Sequence, residues 1–218
     1  MSTEATRAQR PRTQRPAGKG KRRRRQRKRS PFRVIIPILA VIVLAGLVVN
    51  LVRLGLGETH VPAWIDVQLL PEDCNSRTGE KMRTVRDIAV HYVGNPGTTA
   101  QQNRDYFAQP DTTVNAHFVV GLDGEVIQCI PLNEKSSATN ERNTDTISIE
   151  VCHPDETGQF TQESYQALVK LTAWLCDHTH IGRDRVIRHY DVTGKLCPLY
   201  FVEHEEAWEQ FKQDVKDY

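Results

Sequence analysis

Between Val34 and Val52 the chain reads VIIPILAVIVLAGLVVNLV, an uncharged run interrupted only by Pro37, Gly46 and Asn50. No other segment restricts its own surroundings as much. A helix needs roughly 20 apolar residues to cross the hydrocarbon core of a bilayer, and residues 34–54 meet that length. Pro37 falls in the first helical turn, where a missing N–H costs little. A buried core helix would carry a polar face, which is absent here. A cleaved export signal would have a shorter apolar region and a small-x-small cleavage site. The sequence therefore predicts one transmembrane helix.

The formal net charge of +2 hides a segregation about that helix. Residues 1–33 hold fourteen Lys/Arg and one acid, Glu4, whereas the rest of the chain holds fifteen Lys/Arg against twenty-six Asp/Glu. Positive residues stay on the cytoplasmic side, so the N-terminus is expected inside and the C-terminal region outside. The basic tail has too few apolar side chains to fold and is expected to be disordered. An Arg run alone could suit nucleic acid. Beside a membrane span it reads instead as a topology determinant lying on anionic lipid headgroups. The predicted organisation is a tail (1–33), a span (34–54), a linker (55–73) and one mixed α/β domain (74–218).

Within that domain, Ile88, Val90 and Tyr92 alternate with Ala89, His91 and Val93, as in a half-buried strand. Thr99 to Ala108 reads as a helix, with Pro110 marking its end. Asp123-Gly124 sits between His117–Gly121 and Glu125–Ile130, a hairpin signal. Thr146 to Cys152 reads as a strand with Ile147, Ile149 and Val151 on one face and Ser148, Glu150 and Cys152 on the other. Thr161 can cap a helix to about His180 with a buried stripe of Leu168, Leu171 and Leu175. Val186 to Arg188 is a short strand leading into His189.

The segment His189 to Pro198, HYDVTGKLCP, brings an imidazole and a thiol back toward one point through a turn at Thr193-Gly194. Both are good zinc ligands. There is no HExxH helix. A third ligand is required, and the residues alone leave His91 and His117 as rivals for that role.

Four segments together, IAVHYVGNPG, NAHFVVGLDGEVIQ, TDTISIEVCHP and RHYDVTGKLCP, resemble the zinc-dependent type-2 N-acetylmuramoyl-L-alanine amidases. These are related to peptidoglycan recognition proteins and to phage lysozymes that are amidases. The resemblance covers about Cys74 to Phe211 and implies a mixed sheet with flanking helices. It places the metal ligands on His91, His189 and Cys197, a catalytic Glu on Glu150 and a catalytic Lys on Lys195. His117 then falls beside the site. With Asn95 and Thr193 it is a candidate substrate contact. Some members carry a catalytic Tyr before that His, where this chain has Ala116; Glu150 then takes the base role. The implied substrate is peptidoglycan, cut between N-acetylmuramic acid and L-alanine with Zn2+ as cofactor. The rival reading is a muropeptide-binding module without activity, which loss of the zinc Cys would favour; Cys197, Glu150 and Lys195 are all present. His153, His178, His180 and His204 read as surface residues and His60 as linker. Cys74, Cys129, Cys152 and Cys176 could form two disulfides by arithmetic, with no pairing determined.

Overall fold

A computed structural model describes residues 41–44, 46 and 61–218, the first five of these being helical and exposed. The basic tail, His60 and most of the predicted span lie outside the described residues. Among the described residues no helix is long and apolar enough to cross a membrane.

Within residues 61–218, six strands form one mixed sheet in the order β1-β4-β3-β5-β2-β6. They are β1 (Ile65–Val67), β2 (Asp87–Tyr92), β3 (Phe118–Val120), β4 (Val126–Gln128), β5 (Thr146–Val151) and β6 (Val186–Arg188). The β3–β4 hairpin is antiparallel, and every other neighbouring pair is parallel. The hairpin turns where Asp123-Gly124 predicts it, with Gly124 at φ 82°, a conformation that favours glycine.

Helices cover both faces. Helix α1 (Ala100–Phe107) lies on one side and α2 (Gln162–Thr179) on the other. The short α3 (Tyr190–Thr193) and α4 (Leu199–Glu203) lead to α5 (Glu205–Asp217). Thr99 caps α1 through a reciprocal capping box with Gln102, and the Thr161 side chain accepts from the Ser164 N–H at the start of α2. The predicted stripe of Leu168, Leu171 and Leu175 is fully buried against Ile88, Val90, Ile147 and Ile149. Trp208, Phe211 and Val215 of α5 close the same core. On the other face, Ala100 and Phe107 pack with Val119, Ile127 and Cys152.

This double cover corrects the expectation of a half-buried β2. Residues 87–91 are all buried, His91 and Asp87 included. Central parallel strands roofed on both sides lose the in–out alternation of a one-sided sheet. All five cysteines are free.

The segment read as a linker contributes structure of its own. Ile65–Val67 pairs with β4, and Leu70 is buried in the core on the α1 face. Arg77 then anchors this stretch. Its Nε and Nη2 donate to the two oxygens of Glu134 at 2.8 and 2.9 Å, and Nη1 donates to the Leu70 carbonyl at 2.6 Å. Both side chains are only 6 % exposed. The Arg77 hydrogen bonds hold the Glu134 carboxyl below its usual range, outweighing the opposite effect of burial. Removing one partner of such a pair strands a buried charge. Arg77→Met is expected to cost about 3–5 kcal/mol in urea unfolding. Arg77→Met combined with Glu134→Met is expected to recover part of that loss.

Candidate metal centre

Three parallel strands, β2, β5 and β6, present their carboxyl ends at one edge of the sheet, where sites in such folds form. His91 is the penultimate residue of β2 and Glu150 the penultimate residue of β5, and the register pairs them directly. His189 follows β6 at once, and its N–H bonds to the Val90 carbonyl at 3.2 Å. From there α3 and Gly194, at φ 75°, reverse the chain. A bond from the Tyr190 N–H to the Cys197 carbonyl, 2.9 Å, closes the loop and delivers the thiol.

One ligand atom from each of His91, His189 and Cys197 lies within 4.8 Å of the other two. Cys197 Sγ is 3.8 Å from His91 Nδ1, and Glu150 Oε1 is 4.0 Å from that same nitrogen. The outer nitrogens are occupied. His189 Nε2–H donates to Asn140 Oδ1 at 2.8 Å, and His91 Nε2 meets Thr139 Oγ1 at 3.1 Å. A carbonyl oxygen can only accept, so the His189 proton is assigned to Nε2 and Nδ1 keeps its lone pair. His189 Nδ1 and Glu150 Oε2 are buried without a partner. A cation among His91 Nδ1, His189 Nδ1 and Cys197 Sγ satisfies the orphaned nitrogen, and two imidazoles with one thiol form a zinc donor set with an open position.

The electrostatics fit that chemistry. Burial holds His91 well below the usual imidazole range, with His189 and Lys195 adding to the effect. Burial and Lys195 also lower His189. Both imidazoles are therefore neutral near pH 7, the form that binds metal. Burial pushes the Cys197 thiol up to about 12, and Glu150 adds to this, while the Tyr92 backbone N–H and Lys195 oppose it. A bound cation supplies the charge that draws off that proton. Burial pushes Glu150 up to about 8, against the pull of Lys195. A carboxyl in that range exchanges protons readily at neutral pH. The Lys195 charge thus acts on all four groups, although its side chain is exposed.

A family model described as N-acetylmuramoyl-L-alanine amidase matches residues 81–199, more than half of the chain. This chain belongs to the type-2 N-acetylmuramoyl-L-alanine amidase family. It is 31 % identical over 157 residues to the N-acetylmuramoyl-L-alanine amidase CwlL of Bacillus licheniformis, covering 64 % of this chain and 43 % of that one. The catalytic domain of XlyA superposes with a TM-score of 0.61 at 30 % identity, covering 69 % of this chain and 98 % of that domain. XlyA itself, from Bacillus subtilis, is an N-acetylmuramoyl-L-alanine amidase matched over 49 % of its length. The chain spans less than half the length of these curated relatives.

Of the residues anticipated for this site, His91, His189, Cys197 and Glu150 come together. Thr193 ends α3 and Lys195 lies on the α3–α4 loop, with Thr193 Oγ1 accepting from the Lys195 N–H at 3.2 Å. Asn95 is exposed on the β2–α1 loop, its carbonyl accepting from Thr98 Oγ1 at 2.7 Å. His117 is not brought to the cluster. It is fully buried, with Nε2 donating to the Glu134 carbonyl at 2.9 Å and Nδ1 accepting from the Ser148 N–H at 3.0 Å. Both nitrogens are used, so the expected substrate contact gives way to a core role.

Burial lowers His117 to about 4 from an ordinary 6.5. Between those values the unfolded chain holds the extra proton, so stability rises with pH. The contribution, about 3 kcal/mol, is complete above pH 6.5 and is lost as pH falls toward 4. His117→Gln is expected to be less stable at pH 7.5 yet to lose less than wild type on going to pH 5, as read from urea midpoints.

His153 also departs from its sequence reading as a surface residue. It is buried, packs at a tilt against the Tyr92 ring with centroids 5.0 Å apart, and donates from Nδ1 to the Asp155 carbonyl at 2.7 Å. Thr139 and Asn140, the partners of the two imidazoles, gave no sequence signal beyond lying in a polar loop. Asn143 Oδ1 shapes that loop by accepting from the N–H groups of Ala138 and Thr139 at 3.1 and 2.7 Å. Arg142 ties it down through Asp145 and the buried Asp87, which also bonds Arg185.

Proposed function

We propose that this chain hydrolyses peptidoglycan at the amide between the lactyl group of N-acetylmuramic acid and L-alanine. The observation that carries this is the buried His91–His189–Cys197 cluster with the unpartnered Glu150 oxygen beside it. His91 Nδ1, His189 Nδ1 and Cys197 Sγ would hold zinc, which would supply a Lewis acid for the scissile carbonyl and lower the pKa of a water to about 7. Asn140 holds His189 in the ligating tautomer, and Thr139 orients the His91 ring. Glu150 takes the proton of the attacking water and returns one to the leaving amine. The Lys195 ammonium offsets negative charge developing on the carbonyl oxygen. Tyr190 at the start of α3 and Leu196 on the α3–α4 loop, both exposed, give the rim an apolar surface for substrate.

The same reading places the catalytic domain outside the cytoplasmic membrane. Support comes from the uncharged run at 34–52 and from the basic residues crowded before it. Binding of the basic tail to anionic lipid headgroups follows from its charge. An anchored hydrolase acts on nearby wall and does not diffuse away. Mass spectrometry of peptidoglycan treated with the zinc-loaded 218-residue chain in detergent tests the assignment. Stem peptides with an L-Ala amino terminus, together with peptide-free glycan, are expected. Cleavage at any other bond would overturn the substrate, and an intact wall would favour a recognition module.

A further inference from the structure

We infer that a cleft between the start of α2 and the α4–α5 corner binds the glycan strand of the substrate next to the cut amide. The inference rests on the amidase reading for its substrate, but not for its direct test. The cleft has a volume of about 320 Å³, within the roughly 300–1,000 Å³ of small-ligand sites. Phe160, Tyr165 and Tyr200, partly exposed, supply its aromatic lining, and the exposed Gln159, Gln162 and Gln210 line it too, with Gln210 Nε2 donating to Asp214 Oδ1 at 2.7 Å. Among the described residues no Asp, Glu, Lys or Arg lines it, in a chain where 26 % of residues are charged.

That lining suits one class of ligand. The C–H face of a pyranose ring packs on aromatic rings, and side-chain amides both donate to and accept from its hydroxyl and acetamido groups. A stem peptide carries free carboxylates, which would call for cationic partners that this cleft lacks. The larger hollow beside it, about 520 Å³, is bordered by Asp123, Glu163 and Lys170, and it does not include the ligand loops.

Segments that line the cleft adjoin those that carry the metal ligands, and Gly158, at φ 69°, sits where they meet. A Cβ there would lie 3.4 Å from Tyr92 Cδ2, 3.1 Å from Leu199 Cβ and 3.5 Å from the Tyr200 nitrogen. Tyr92 follows ligand His91, Leu199 and Tyr200 follow ligand Cys197 by two and three residues, and Gln159 and Phe160 follow Gly158. A sugar in the cleft would then lie beside the segments that carry the ligands.

Two measurements on the 218-residue chain test this. Calorimetry with peptide-free glycan oligomers should show binding that weakens about tenfold in Tyr200→Ala and in Gln159→Ala, the scale of losing one contact in a binding site. The ratio of kcat/KM on long peptidoglycan strands to that on a single disaccharide muropeptide should fall by a similar factor in both variants. Gln159 is exposed, so its variant keeps the test valid if Tyr200→Ala fails to fold. Wild type that ignores peptide-free glycan overturns the inference, as does an unchanged ratio in folded variants or a cleft that takes free stem peptide instead. Glycan binding without any hydrolysis supports the cleft and sinks the amidase reading, so the two fail separately.

Discussion

Glu150→Gln is expected to lower kcat by about 10²–10⁴-fold, the range for loss of a general acid–base, while zinc content and thermal unfolding stay close to wild type. Gln has the size of Glu and keeps one acceptor, but it cannot take a proton from water. Glu150 stands beside the group of mutually close ligand atoms, which comprises His91, His189 and Cys197. Its carboxyl is also pushed up to about 8 by burial, so a neutral amide at this position does not bring a new desolvation cost. If KM changes little while kcat collapses, the group acts in the transition state. A variant with full activity would remove Glu150 from the mechanism, and one that loses zinc would make it a ligand.

Cys197→Ala is expected to abolish both zinc retention and hydrolysis. Two neutral imidazoles remain, but the anionic donor of the cluster is gone. Loss of an outer-shell partner already costs about 10–100-fold in affinity, and removal of a direct ligand should cost more. Calorimetry gives a second readout. Wild type should release about one proton on binding zinc near pH 7, because the thiol, pushed up to about 12, has to ionise. The variant should release none. Zinc at a hundredfold excess over its Kd should stabilise wild type by about 2.7 kcal/mol, and this increment should vanish in the variant. Full zinc binding without proton release in the variant would show that Cys197 is not a ligand.

Much of this site could be read from the sequence because its parts carry local signatures. His189 and Cys197 share one ten-residue segment, and the strands that place His91 and Glu150 are marked by their β-branched runs. The hairpin at Asp123-Gly124 and the cap at Thr161 were legible for the same reason. Burial was not. A strand roofed on two sides and one roofed on a single side can share the pattern of β2, because Ala89 is acceptable on either face. The burial of His153 depends on Tyr92 and Asp155, and that of His117 on Glu134 and Ser148, contacts that exist only after the chain folds. Thr139 and Asn140 lie in a loop without periodicity, and their role comes from distances to imidazoles about fifty positions away.

The stretch that carries the family resemblance and the stretch that folds are not the same length. The match begins at residue 81 and ends at 199, so it contains every ligand and the base. It omits β1, Leu70 and Arg77 at one end, and Trp208, Phe211 and Val215 of α5 at the other. A fragment trimmed to the match would open the β4 edge, leave Glu134 without its bidentate partner and uncover the apolar face of α2. It would hold the whole reactive centre on a scaffold missing two of its walls. Inactivity of such a fragment would then report on a broken scaffold and leave the chemistry untouched.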